Sequence, residues 1–285
     1  MRSFLTSLII FVALASSWAG TTIDPVNKFA YGPNVGWMDW TGDSVHGVVV
    51  NDYYCSGYLY AANVGWINLG GGAPANQIQY QNNSASDFGV NHDGFGNLRG
   101  YAYGANIGWI NFENAGAPKI NLKSGKLSGY AYSANCGWIS LSNAAAFVQT
   151  DHILPGPLAP NGLPIPWLLA NFGTTNVDPN ADADGDGASN AQEYQAGTNP
   201  RNTGGYLRIT SQSFTPGGTV ATLTWTSVSN RCYYIQGTLN LNPLPMWFDS
   251  GLGVIGPDGL STTRAFAESN APMRYFRIGV VRPLP

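Results

Sequence analysis

Gly57-Tyr58-Leu59-Tyr60-Ala61-Ala62-Asn63-Val64-Gly65-Trp66-Ile67-Asn68-Leu69 is the stretch whose reading decides the fold. The pattern returns as Gly100-Tyr101-Ala102-Tyr103-Gly104-Ala105-Asn106-Ile107-Gly108-Trp109-Ile110-Asn111-Phe112 and as Gly129-Tyr130-Ala131-Tyr132-Ser133-Ala134-Asn135-Cys136-Gly137-Trp138-Ile139-Ser140-Leu141. A shorter copy, Tyr31-Gly32-Pro33-Asn34-Val35-Gly36-Trp37, precedes them. Tyr31, Tyr60, Tyr103 and Tyr132 are 29, 43 and 29 residues apart. Each copy reads as β. Tyr-x-Tyr sets two rings on one face of a strand. Asn-x-Gly supplies two residues that tolerate positive φ, hence a turn. Trp-Ile-Asn-Leu then resumes a half-buried strand.

Further strand-turn segments lie between the copies, at residues 48–52 and as a hairpin over 120–127. A unit of about three strands is too small to stand alone. The four units therefore share a core, either stacked or closed in a ring. The longer interval accommodates an inserted loop over 70–83, rich in Gly, Ala, Asn and Gln. The repeated rings recur at a fixed register, which places them in the shared core. The alternative is an outward platform of Tyr and Trp stacking on sugar rings, and the exposure of Trp66, Trp109 and Trp138 separates the two. Asn34, Asn63, Asn106 and Asn135 are expected to satisfy turn backbone groups.

Outward from the repeats, residues 1–19 read as a signal peptide: Arg2, an apolar run over 8–14, and small residues before Gly20. That run is short of the ~20 residues of a spanning helix. The chain is expected to be exported, secreted or on the cell surface, with no transmembrane segment in the mature chain. Charged residues are 10% of the chain and the net charge is -3, so no basic field exists to hold a nucleic acid. Export permits disulfides. Of Cys55, Cys136 and Cys232, the first two lie in the repeats and are the expected pair, and three small buried thiols are the alternative.

Past the repeat domain (20–148) comes a Pro-rich linker (149–204), with Pro155, Pro157, Pro160, Pro164 and Pro166 suggesting a semi-rigid, extended segment. It carries a short helix over 167–172 ended by Gly173, and a second over 191–196 with Gly197 as its cap. Residues 205–285 alternate again at 207–210, 220–225, 231–236, 246–248 and 273–281, which suggests a β-sandwich. The fold class is mainly β: a β-repeat domain of four units, a short α-containing linker and a C-terminal β-sandwich.

One stretch carries a strong chemical signal. Asp182-Ala183-Asp184-Gly185-Asp186-Gly187-Ala188-Ser189-Asn190-Ala191-Gln192-Glu193 fits the EF-hand template D-x-D-x-D-G-x5-E. Ca²⁺ is a hard cation that takes six to eight oxygens. Asp182, Asp184 and Asp186 offer short carboxylates on a tight loop, and Gly187 permits the sharp turn. Ala188 offers a carbonyl, Asn190 acts directly or through water, and Glu193 closes the shell. Packing so many acids together is costly unless a cation neutralises them, and Mg²⁺ prefers a smaller shell that keeps its waters. Over residues 178–200 the chain resembles the calcium loops of thrombospondin type 3 repeats and the EF-hand-like dockerin motif of secreted bacterial proteins. In such families the loop commonly serves as a structural joint. The upstream stretch 160–167 looks like a partner loop that has lost its acids. The Gly-Trp-Ile units look like parts of large bacterial surface proteins, for which the resemblance implies no activity.

Other chemistry is weak. Gly42-Asp43-Ser44-Val45-His46 lacks the spacing of a hydrolase elbow. His46, His92 and His152 share no metal-ligand spacing, and residues 91–94 read as a turn. The reading is an exported, calcium-binding, non-enzymatic structural or interaction protein, with a surface protein or a glycan as partner class. Carbohydrate binding through the Tyr/Trp repeats is the alternative, and a secreted hydrolase the distant one.

Overall fold

The computed structural model describes residues 20–285 apart from 44, 114–115, 217–218, 242–244 and 268–274. The expected signal segment, 1–19, lies outside the described residues. The chain is mainly β, and its N-terminal part is a closed eight-stranded barrel. Four hairpins build it: Ile23–Gly32 with Gly36–Asp39, Tyr58–Ala61 with Gly65–Asn68, Leu98–Gly104 with Gly108–Asn111, and Tyr130–Ser133 with Gly137–Ser140. Each Tyr-x-Tyr strand pairs with its own Trp strand, so Tyr31, Tyr60, Tyr103 and Tyr132 stand opposite Trp37, Trp66, Trp109 and Trp138.

The hairpin tips follow from Asn-x-Gly. Val35 N–H donates to the Gly32 carbonyl, Val64 to Ala61, Ile107 to Gly104 and Cys136 to Ser133, each closing a four-residue turn. The next residue, Gly36, Gly65, Gly108 or Gly137, has φ between 70 and 80°. A tight turn followed by one left-handed residue is the common three-residue hairpin loop, and glycine takes that conformation without strain.

The hairpins join edge to edge at matching positions: Met38 with Ala61, Ile67 with Gly104, and Ile110 with Ser133. Tyr31 pairs with Ser140 to close the ring. The asparagines reinforce each seam. The Nδ2 of Asn63 donates to the Val35 carbonyl at 3.2 Å, Asn106 to Val64 at 3.0 Å, and Asn135 to Ile107 at 3.0 Å. Asn34 completes the circle by donating to Cys136 at 3.0 Å. The asparagines do satisfy turn carbonyls, but those of the neighbouring hairpin.

The barrel interior is filled in layers. Met38, Ile67, Ile110 and Ile139, each one residue after a Trp, point inward and are buried. Trp40, Leu69, Phe112 and Leu141, each three residues after it, close one end. Val35, Val64, Ile107 and Cys136, the tip residues, crowd the other. Opposite the first layer stand Ala30, Leu59, Ala102 and Ala131. Eight strands enclose only enough space for side chains of this size. Alternation therefore sends the repeated rings outside, and the expectation that they fill the core is wrong. Trp37, Trp66 and Trp138 are each 46% exposed and Trp109 is 47% exposed. The expected Cys55–Cys136 disulfide is also absent: all three cysteines are free and buried. Cys136 occupies a tip position where the other hairpins have Val or Ile, and serves as a small apolar plug.

Short ladders cover the end closed by Trp40. They are Val49–Val50 with Cys55–Ser56, Val90–His92 with Leu98–Gly104, and Lys119–Ile120 with Leu127–Ser128. Asn91 and His92 thus belong to a strand, and the turn expected at 91–94 follows them. Val148–Thr150 pairs with the start of Ile23–Gly32.

The proline-rich segment is not extended. Ala159, Leu163, Trp167 and Leu168 form a cluster with Tyr53 of the barrel and Tyr194. These apolar side chains fold the segment onto the barrel around the helices Ile165–Phe172 and Asn190–Ala196. The C-terminal part holds two three-stranded sheets: Ile209–Phe214, Val220–Thr226 and Ser261–Ala267, then Phe248–Asp249, Cys232–Thr238 and Tyr275–Val281. Leu223 and Trp225 of the first meet Tyr233 and Ile235 of the second in one cluster. Arg282 ties this part to the barrel through Asp52 at 2.7 Å. Among the described residues, no helix is long and apolar enough to cross a membrane.

Candidate metal centre

The acidic template folds as a tight loop that runs into the helix Asn190–Ala196. Backbone amides organise it. Gly185 and Gly187 donate to the two carboxylate oxygens of Asp182 at 2.7 and 2.8 Å. Asp186 N–H donates to Asp184 Oδ1 at 3.2 Å, and Ala188 N–H to Asp186 Oδ1 at 2.9 Å. The Gly187 and Gly185 amides hold the Asp182 carboxyl below the usual carboxylate range. Gly187 has φ 97° and Gly185 φ 83°, so the reading of Gly187 as a sharp-turn position holds and Gly185 shares the role.

Asp182, Asp184 and Asp186 bring one carboxylate oxygen each to within 4.8 Å of the others. Glu193 and Asn190 stand outside that cluster, on the helix, and both are buried. Asn190 is oriented by its amide, which donates to the Asp178 carbonyl at 2.8 Å. Its carbonyl oxygen is left over. Four buried oxygens of the segment have no hydrogen-bond partner: Asp184 Oδ2, Asp186 Oδ2, Asn190 Oδ1 and Glu193 Oε2. Such oxygens are costly unless they meet a donor or a cation. Burial, then the charges of Asp184 and Asp186, raise the Glu193 carboxyl to about 7. A divalent cation between these groups reverses that balance.

Several supports come from residues the template does not specify. Ser189 and Gln192 form a capping box at the helix start, with Ser189 N–H donating to Gln192 Oε1 at 2.8 Å. Thr198 Oγ1 donates to Glu193 Oε1 at 3.4 Å. Arg231, from the C-terminal part, clamps the helix end: Nε donates to the Gln195 carbonyl and Nη2 to the Tyr194 carbonyl, both at 2.7 Å. A buried cation at a helix C-terminus satisfies its orphan carbonyls. None of these was read from the sequence, although the capping box leaves a local signal there, Ser-x-x-Gln. Asp178 is exposed, and its carboxylate caps its own turn at the Asn180 amide.

The remaining candidates lie apart. His46 pairs with Asp43 at 3.0 Å on the surface, and Ser44 lies outside the described residues. His92 is buried between the Asn51 carbonyl and the Gly96 amide. His152 meets the Pro285 carbonyl. No family model, no characterised protein and no solved structure matches the chain.

Proposed function

We propose that the chain is an exported, calcium-binding, non-enzymatic structural or interaction protein in which the loop 182–193 is a calcium-organised joint. The observation that carries this reading is the set of four buried, unpartnered oxygens on Asp184, Asp186, Asn190 and Glu193, beside the Asp182 carboxylate. All are oxygen donors on the loop and the first turn of the helix it runs into, the donor set of a hard cation. Asp182, Asp184, Asp186, the Ala188 carbonyl, Asn190 and Glu193 would hold the ion. A joint suits the surroundings. Tyr194 follows Glu193 directly, packs on Trp167 with ring centroids 5.4 Å apart, and its carbonyl meets Arg231 of the C-terminal part. Occupancy of the loop thus bears on the helix between barrel and C-terminal sheets. The finer architecture belongs to the same proposal: four hairpins as copies of one unit, and the two C-terminal sheets as a sandwich. Residues 1–19, read as a signal peptide, support export.

The test is thermal unfolding of the full chain in EDTA and in excess calcium. Saturation at 100 times the dissociation constant stabilises a bound state by about 2.7 kcal/mol. The joint predicts a calcium-dependent rise in Tm, lost in Asp184→Ala. Equal melting with and without calcium contradicts it.

A further inference from the structure

The four outward Trp rings are not equivalent. Each meets its own hairpin's tyrosine: Tyr31–Trp37 at 4.8 Å, Tyr60–Trp66 at 5.0 Å, Tyr103–Trp109 at 4.9 Å and Tyr132–Trp138 at 5.0 Å. Trp109 has a further neighbour, Phe88, at 5.0 Å and 85°. Phe88 arrives on the inserted segment of the 43-residue interval, the one long spacing in the repeat. The barrel does not require that segment, since its other hairpins join after 29 residues.

The insertion is firmly built. Tyr80 wedges between Gly70 and Gly89, where a Cβ on either glycine would meet its ring at 2.5 or 2.2 Å. Tyr80 Oη accepts from Gly72 N–H at 2.7 Å. Buried Asp87 accepts from the Ala75 and Gln81 amides, both at 3.2 Å. Asn82 Oδ1 accepts from Gly89 N–H at 3.0 Å. Against the hairpin this scaffold forms a cleft of about 460 Å³, with Trp109, Phe88 and Tyr101 as its aromatic walls and Asn83 and Ser84 on its rim. Among the described residues, no acidic or basic side chain lines it. Asn83 is exposed, and among the described residues its side-chain amide has no partner.

We propose that this cleft binds a pyranose ring of a neutral glycan. The charge balance argues for that occupant: a lining without ionised groups offers nothing to an acidic or basic partner. The two kinds of lining match the two faces of a sugar. A C–H face lies against the indole of Trp109, a large rigid surface ordered at little entropic cost. Hydroxyls at the ring edge meet the Asn83 amide, which donates and accepts, with the Ser84 hydroxyl beside it, which already accepts from Asp87 N–H and faces Ser86 Oγ, both at 3.2 Å. An apolar peptide in the same place offers the Asn83 amide no partner. The volume lies in the range of small-molecule sites, which pair apolar walls with a few polar groups. Nothing in the cleft draws on the calcium loop, so the proposal stands or falls separately from the joint.

The experiment titrates cellohexaose, chitohexaose, xylohexaose, mannohexaose and laminarihexaose into the full chain, in EDTA and in calcium, by tryptophan fluorescence and calorimetry. Trp109→Ala, Asn83→Ala and Trp138→Ala are run beside it, with circular dichroism to check folding and sedimentation to report association. At least one hexasaccharide is expected to bind saturably with or without calcium. Trp109→Ala weakens it by at least about tenfold, Asn83→Ala by a few-fold, and Trp138→Ala leaves it unchanged. Three results overturn the proposal. One is no saturable binding by any of the five sugars. A second is equal loss in Trp138→Ala and Trp109→Ala, which marks general stickiness of exposed rings. The third is a parent that self-associates through Trp109 while ignoring sugar, which assigns the cleft to a second copy.

Discussion

Replacing Asn34 by Ala removes the hydrogen bond that joins the first hairpin to the last. The same bond recurs at all four seams, with donor–acceptor distances of 3.0 to 3.2 Å. A hydrogen bond of this kind contributes about 1 kcal/mol net, and loss of the donor leaves the Cys136 carbonyl without it. In a domain of this size that corresponds to a fall in Tm of about 3 °C. Asn34 and Cys136 are 102 residues apart, so the bond exists only if the ring is closed. The closing seam is also the thinnest, with Tyr31–Ser140 its single backbone pair, where each other seam has two. The cost of Asn34→Ala should therefore equal or exceed that of Asn63→Ala, Asn106→Ala and Asn135→Ala. The assay is urea unfolding of the four variants, with amide exchange at the edges of Ile23–Gly32 and Gly137–Ser140. Stability unchanged in Asn34→Ala but reduced in the other three refutes closure and leaves an open array.

Two further outcomes follow from buried groups. Gly96 N–H donates to His92 Nε2 at 3.1 Å and Nδ1 faces the Asn51 carbonyl at 3.0 Å, so only the neutral ring with its proton on Nδ1 satisfies both. Burial holds this imidazole below its ordinary value, and Asp52 and Asp93 offset that only in part. The unfolded chain then takes the proton first, and the contribution of His92 to stability falls as pH drops below about 6.5. Urea unfolding between pH 7 and 5 should show that loss, reduced in His92→Gln, and identical slopes would contradict it. The three thiols should be silent to a disulfide reagent in the native protein and all react in guanidinium. Burial pushes the Cys55 thiol up to about 12, and rapid native labelling would break that account.

The hairpins were legible because their signals are local. Period-two alternation and Asn-x-Gly place both strands and the turn within a dozen residues. Which face points inward was not local. Alternation shows that Tyr58, Tyr60 and Trp66 share a side, but not which side. That depends on closure, because a ring of eight strands has no room for four indoles and their tyrosines. The cue was the opposite face: Ala61, Gly104 and Ser133 beside Ile67, Ile110 and Ile139 make the small-and-branched filling that a narrow barrel takes. Proline counting misread the segment 149–204, since Leu163, Trp167 and Leu168 supply the apolar surface that folds it down. The strand Ser261–Ala267 leaves little signal in the sequence because Thr262 occupies one of its two buried positions in place of an apolar residue. At the candidate metal centre the acids were readable from spacing, as one short loop brings Asp182, Asp184 and Asp186 together. Arg231 was not, because it reaches the Tyr194 carbonyl across 37 residues of chain.

Calorimetric titration of calcium into the EDTA-stripped full chain, beside Asp184→Ala and Glu193→Ala, tests the central claim most directly. The account predicts one saturable site in the parent and none in either variant, with a dissociation constant in the range of extracellular modules, about 10⁻⁴–10⁻³ M. No heat of binding at millimolar calcium, or binding retained in both variants, would contradict it.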